Sequence, residues 1–249
     1  MGKIITMTSG KGGTGKTAST SAVSSCLAAI GYRTLCIDCD IGLRNLDIAL
    51  GMTNYSVTDF ADVLDGAASL EEACHEHPDI DKLFFLSAPM YRDASEVSPD
   101  AMAAMCRAAR EKFDFCIIDS QAGIGSGFRL AAADADVAVV VTLGDGGGLR
   151  AAQTVTAILG DMGVAEIRLL VNRVLPRRYK RLGATIDAVI DAVGARLIGF
   201  VEEDEAVAMA GATSTPLVLY SDGRASRQFL DIARRLAGEP VPARKRFLR

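Results

Sequence analysis

Ser9-Gly10-Lys11-Gly12-Gly13-Thr14-Gly15-Lys16-Thr17 decides the fold. The apolar run Ile4-Ile5-Thr6-Met7 leads into it, and a helical pattern over residues 16–30 leaves it. Strand, glycine loop and helix in that order make a phosphate cradle. Glycines let several backbone N–H groups aim at one anion, and the helix adds the positive end of its dipole. In such a loop Lys16 reaches the β- and γ-phosphates and the Thr17 hydroxyl holds Mg²⁺. Gly10-x-Gly12-x-x-Gly15 also satisfies the dinucleotide fingerprint, with Asp38 at the spacing of a ribose-binding acid. A dinucleotide has no use for a lysine and a hydroxyl at the helix start, whereas a nucleoside triphosphate with Mg²⁺ uses both. Lys16 and Thr17 therefore favour the triphosphate over a nicotinamide-dependent oxidoreductase.

The chain has 249 residues and a formal net charge of −4. That length suits one substantial α/β domain, and the mild acidity gives no global reason to expect nucleic acid. No apolar run is long enough to span a bilayer, and the N-terminus enters a strand without signal-peptide character. Six scattered cysteines, several in apolar runs, point to free thiols in a reducing cytoplasm. Cys36 and Cys39 have redox spacing, but three positions along a strand place them on opposite faces. Cys74-His75-Glu76-His77 has ligand-type residues, yet reads as a solvated helix end.

Strand and helix alternate throughout. Buried strands are expected at residues 34–38, 83–87, 115–119, 137–143, 167–171 and 197–201. Helices are expected at 56–64, 68–77, 99–112, 149–162, 186–193, 204–210 and 225–237. Ser56 and Asp59 stand in capping-box spacing, and Pro99 suits a first helical turn. Arg177-Arg178-Tyr179-Lys180-Arg181 reads as a basic loop, either a solvated surface or a partner contact. The strands are continuous apolar runs, as expected when helices cover both sheet faces. The economical fold is a single doubly wound, mainly parallel sheet of the P-loop NTPase type. Residues 1–238 would form the P-loop domain, and 239–249 a short basic tail. Two acids follow the second strand (Asp38, Asp40), and Asp119 ends another. Ligands bind at such strand ends in open α/β sheets.

Several segments together resemble one family. Lys11-Gly-Gly-Thr-Gly-Lys-Thr17 resembles the deviant Walker A motif, with its second lysine near the start of the loop. Asp38-Cys-Asp-Ile-Gly-Leu-Arg-Asn-Leu-Asp47, followed by Gly51, resembles the MinD-type septum-site-determining ATPases. Ile118-Asp-Ser-Gln-Ala-Gly-Ile124 is similar to that family's Walker B segment, and Val171-Asn-Arg173 with Ile198-Gly-Phe-Val-Glu-Glu-Asp204 to its base-binding region. The resemblance implies a slow, Mg²⁺-dependent ATPase that cycles between ATP and ADP and forms a homodimer in the ATP state. It implies that Gly10, Lys11, Gly12, Gly13, Thr14, Gly15, Lys16, Thr17 and Ala18 bind the phosphates, and that Asn172 and Arg173 contact adenine. Thr17, Asp38 and Asp119 would serve the metal. Lys16 would act on the bound phosphates, Lys11 on the partner's phosphates, and Asp40 on the attacking water. MinC-like and MinE-like regulators and a cytoplasmic location, peripheral on the inner face of the membrane, belong to the same implication.

The sequence departs from the family at named places. Ala18 replaces a common threonine, Gln121 a proline, and Glu202 another proline. Gly144-Asp-Gly-Gly-Gly-Leu-Arg150-Ala-Ala-Gln-Thr154 lacks the charges expected just after Arg150, which counts against both regulators. Ala243-Arg-Lys-Arg-Phe-Leu-Arg249 is basic with two adjacent large apolar residues, the start of a membrane-targeting helix or a frayed tail. Its basic run, Arg244 to Arg249, would give a weak contact with anionic lipid. A DNA-partition or flagellar-number ATPase and a nucleotide-binding scaffold without hydrolysis are the alternatives.

Overall fold

The computed structural model of the chain describes residues 2–55, 57–182 and 185–242. The strands are β1 (Lys3–Thr8), β2 (Thr34–Cys39), β3 (His75–Glu76), β4 (Leu83–Leu86), β5 (Phe115–Ser120), β6 (Val137–Thr142), β7 (Glu166–Val174) and β8 (Arg196–Glu202). They form one sheet in the order β3-β4-β2-β5-β1-β6-β7-β8. Among the described residues every neighbouring pair is parallel except β3 with β4. The glycine loop follows β1, which is flanked by β5 and β6, so it opens at the carboxyl ends of central strands. Met7 pairs with Asp119 across β1 and β5, and Asp38 pairs with Asp119 across β2 and β5. That register gathers the three strand ends at one place.

The helices are α1 (Lys16–Ala29), α2 (Leu46–Leu50), α3 (Phe60–Leu64), α4 (Leu70–Ala73), α5 (Pro99–Lys112), α6 (Ser126–Ala132), α7 (Gly146–Asp161), α8 (Pro176–Leu182), α9 (Ile186–Val193), α10 (Glu205–Ala212), α11 (Leu217–Tyr220) and α12 (Arg224–Leu236). Alternate residues of each strand feed opposite layers. Ile5, Met7, Val139 and Val141 pack with Leu27 of α1 and Phe229 and Ile232 of α12. On the other face Ile4 and Ile118 meet α5 and α6, and Ala138 and Val140 meet α7 and α9. Cys36 and Cys39 join different layers, and the six cysteines are free thiols. Helix α1 is buried nearly all round. It carries Ser19, Thr20, Ser21, Ser24 and Ser25, whose small side chains allow close packing. Ser19 returns its hydroxyl to the carbonyl four residues back, as does Ser24.

Several local expectations fail for identifiable reasons. Helix α3 begins at Phe60, because Asp59 is itself the N-cap and shares a capping box with Asp62; Ser56 lies outside the described residues. The expected helix over 68–77 stops at Ala73, and β3 follows, pairing with the exposed edge of β4. His77 is accordingly not a solvated helix end. It is buried, with Nε2 2.9 Å from the Leu50 carbonyl and Nδ1 accepting from Asp79 N–H at 3.0 Å. Helix α7 starts inside the glycine run, because the Asp145 carboxylate caps Gly148 N–H. The basic stretch 177–181 lies within helix α8.

Candidate functional site

Glycines shape the cradle by what they leave out. Gly13 and Gly15 adopt left-handed backbone conformations, φ 78° and 83°. A side chain at Gly10 would stand 2.5 Å from the Ala151 carbonyl, so α7 packs directly against the start of the loop. A side chain at Gly15 would strike the Asn172 amide at 2.4 Å. Asn172 is buried, and its Nδ2 donates to the Thr14 carbonyl at 2.9 Å, pinning the loop from behind. Gly15 N-caps α1 without a side-chain hydrogen bond, so the first N–H groups of the helix face the cradle uncapped by a side chain.

Three donors converge on Asp119. Lys16 Nζ donates to Oδ1 at 2.8 Å, Thr17 Oγ1 to Oδ2 at 2.7 Å, and Thr20 Oγ1 to Oδ1 at 2.6 Å. Asp119 is fully buried and Lys16 nearly so. Beside them Asp38 accepts from the N–H groups of Asp40 and Leu46. Burial, reinforced by the charge of Asp119, pushes the Asp38 carboxyl up to about 7. Burial also raises Asp40, against the pull of Lys16. Asp40 Oδ1 is buried without a hydrogen-bond partner among the described residues. Lys11 lies at the other end of the loop, more than a third exposed. Its amine bonds both oxygens of Asp145, at 3.0 and 3.1 Å. The Gly148 N–H and then Lys11 hold the Asp145 carboxyl below its ordinary range.

Lys11, Lys16, Thr17, Asp38, Asp40 and Asp119 thus surround one loop. Asn172 supports it from below. The guanidinium of Arg173, the next residue, pairs with Glu203 at 2.7 Å on the surface. Gly12 has nothing within contact range of an added side chain, and Ala18 continues the helix start. Two residues escape a reading of the sequence. Thr20 is marked there only by standing one helical turn after Lys16. Asp145 looks like one more residue of a glycine loop.

Hard oxygen donors from a hydroxyl and carboxylates suit Mg²⁺, which takes few protein ligands and completes its shell with phosphate and water. Fold and site together define a P-loop protein that binds a nucleoside triphosphate. Residues 5–217 match the model of the CobQ/CobB/MinD/ParA nucleotide binding domain family. The septum site-determining protein MinD of Thermotoga maritima is 36% identical over 251 residues, spanning 100% of this chain and 93% of that protein. The MinC:MinD cell division protein complex of Aquifex aeolicus superposes with a TM-score of 0.87 at 33% identity, covering 99% of this chain and 100% of that one. MinD of Pyrococcus horikoshii complexed with Mg-ADP gives 0.83 at 27% identity, over 95% and 96% of the two chains. The chain belongs to the CobQ/CobB/MinD/ParA family and, within it, to the MinD-type septum-site-determining ATPases. It is a MinD-like division-site ATPase that uses ATP, ADP and Mg²⁺.

Proposed function

We propose that the chain is an ATP-driven dimerisation switch, and that the placement of two lysines at opposite ends of one phosphate loop carries this role. Lys16 is buried inside the site, whereas the Lys11 amine stands at the surface, held by Asp145. Lys16 would turn from Asp119 to the β- and γ-phosphates. Lys11 would leave Asp145 for the phosphates of a second copy, a charge supplied in trans as an arginine finger is. Backbone N–H groups of residues 10–18 would cradle the phosphates. Thr17 and Asp119, supported by Asp38, would hold Mg²⁺, which would supply charge neutralisation to the phosphates. Asp40, with its unpaired buried oxygen, would orient the attacking water. Asn172, with the Arg173 backbone or side chain, would contact adenine. Loss of the γ-phosphate gripped by both copies would then loosen the dimer.

A MinC-like partner is supported by the Aquifex aeolicus relative, whose structure is a MinC:MinD cell division protein complex. The weakly charged start of α7 offers less to a MinE-like partner. Residues 1–238 would form the ATPase body and 239–249 a tail. No helix among the described residues is long and apolar enough to cross a membrane. A peripheral contact would fall to Arg244–Arg249, outside the described residues, and two tails per dimer would strengthen it. A DNA-partition role is favoured by one observation, the exposed Arg177, Arg178, Lys180 and Arg181 of α8; salt-sensitive, ATP-dependent DNA binding would support it.

The lysines separate the roles experimentally. Lys11→Ala should keep monomeric ATP binding within about threefold and lose ATP-dependent self-association. If Lys11→Ala self-associates like the wild type, the in-trans assignment is wrong. Sedimentation with anionic vesicles, with ATP and with ADP, tests the tail: pelleting only with ATP supports a membrane switch, and equal pelleting ends it.

A further inference from the structure

The nucleotide and its metal claim two of the three donors that hold Asp119. Lys16 cannot serve a phosphate and Asp119 fully at once, and the Thr17 hydroxyl cannot donate its one proton to Asp119 while turned to a metal. The third donor is Thr20. Its hydroxyl lies 2.6 Å from Asp119 Oδ1 and 3.0 Å from the Lys16 carbonyl, on the buried face of α1 one turn beyond Lys16. Thr20 is fully buried, behind the loop rather than within it. Asp119 also stands in register beside the buried Asp38, so two carboxylates share one low-dielectric corner. Once Lys16 and Thr17 turn away, Thr20 is the donor that stays on Asp119 among the described residues.

We propose that Thr20 is a positioning residue for the magnesium–nucleotide complex, keeping Asp119 aimed at the metal side while Lys16 and Thr17 leave it for the ligand. A hydroxyl suits the task because it donates to the carboxylate without adding a charge that competes with Lys16 or the metal. The inference rests on the placement of Mg²⁺ at Thr17 and Asp119 proposed above.

The test is calorimetric titration of the full chain with ADP, once in Mg²⁺ and once in EDTA, reading the ratio of the two dissociation constants. A general loss of fold or loop order weakens both arms together and leaves the ratio unchanged. Thr20→Val, nearly isosteric, should cut the magnesium-dependent gain by about tenfold, ~1.4 kcal/mol. Thr20→Ser should restore it. Thr20→Ala provides the same comparison if valine is not accommodated. Asp119→Asn is the control for the metal placement and should lose the gain. Loss of the gain in Asp119→Asn with a wild-type ratio in both Thr20→Val and Thr20→Ala overturns the role of Thr20 alone. A wild-type ratio in Asp119→Asn overturns the metal placement, and the role of Thr20 with it.

Discussion

Lys16 and Asp119 make a buried ion pair that ligand binding must exchange rather than add to. Removing the lysine forfeits its charge-assisted bond to phosphate, so Lys16→Ala should weaken ATP binding by roughly 10- to 100-fold and bring phosphate release to background. Titration calorimetry and a phosphate assay check both. Asp38 gives a pH signature. Its folded carboxyl titrates near 7, well above its ordinary 3.8, so the native chain keeps a proton that the unfolded chain has released. Stability therefore falls as pH rises between those values. In urea unfolding without nucleotide, Asp38→Asn should lose less stability than the wild type between pH 5 and 8. An equal slope would count against the raised carboxyl. Lys16, Thr17, Asp38 and Asp119 were legible in the sequence because short motifs at strand ends mark them. Thr20 and Asp145 were not, because their partners lie 99 and 134 residues away along the chain and only the sheet order brings them together.

The loop and α7 are packed as one unit at Gly10, and the loop and β7 as another at Gly15. Gly15→Ala combines a strained left-handed backbone with a collision against Asn172. It should cost roughly tenfold or more in nucleotide affinity, with a smaller effect on thermal unfolding; calorimetry beside a melting curve separates the two. Helix α12 anchors the opposite face through Phe229, which is 1% exposed. Phe229→Ala should destabilise by about 3–5 kcal/mol, measured by chemical denaturation. Helices with strong periodicity or good caps, such as α5 and α9, fall at the residues their sequences mark. Elements fixed by a neighbour do not. Strand β3 exists because β4 has an edge to pair, and the glycines of α7 are helical because Asp145 caps them. Glycine's low helix propensity had argued otherwise.

At the scale of the molecule, the alternation of apolar runs and helical patterns was enough to give one mainly parallel sheet with both faces covered. Its strand order needed the structure. That order sets β1 beside β5 and brings Asp38, Asp119 and the phosphate loop to one rim, with Lys11 facing outward from it. A surface lysine on a phosphate loop has a use when a second copy presents its nucleotide, so ATP should hold two chains together and ADP should not. Asp40→Ala should slow hydrolysis and prolong that state. The most direct measurement is size-exclusion chromatography with light scattering on Asp40→Ala, run with Mg-ADP and then with Mg-ATP. A mass near 26.2 kDa with ADP and twice that with ATP is the result predicted. The same monomer mass with both nucleotides, at concentrations where ATP binding is saturated, would contradict the switch.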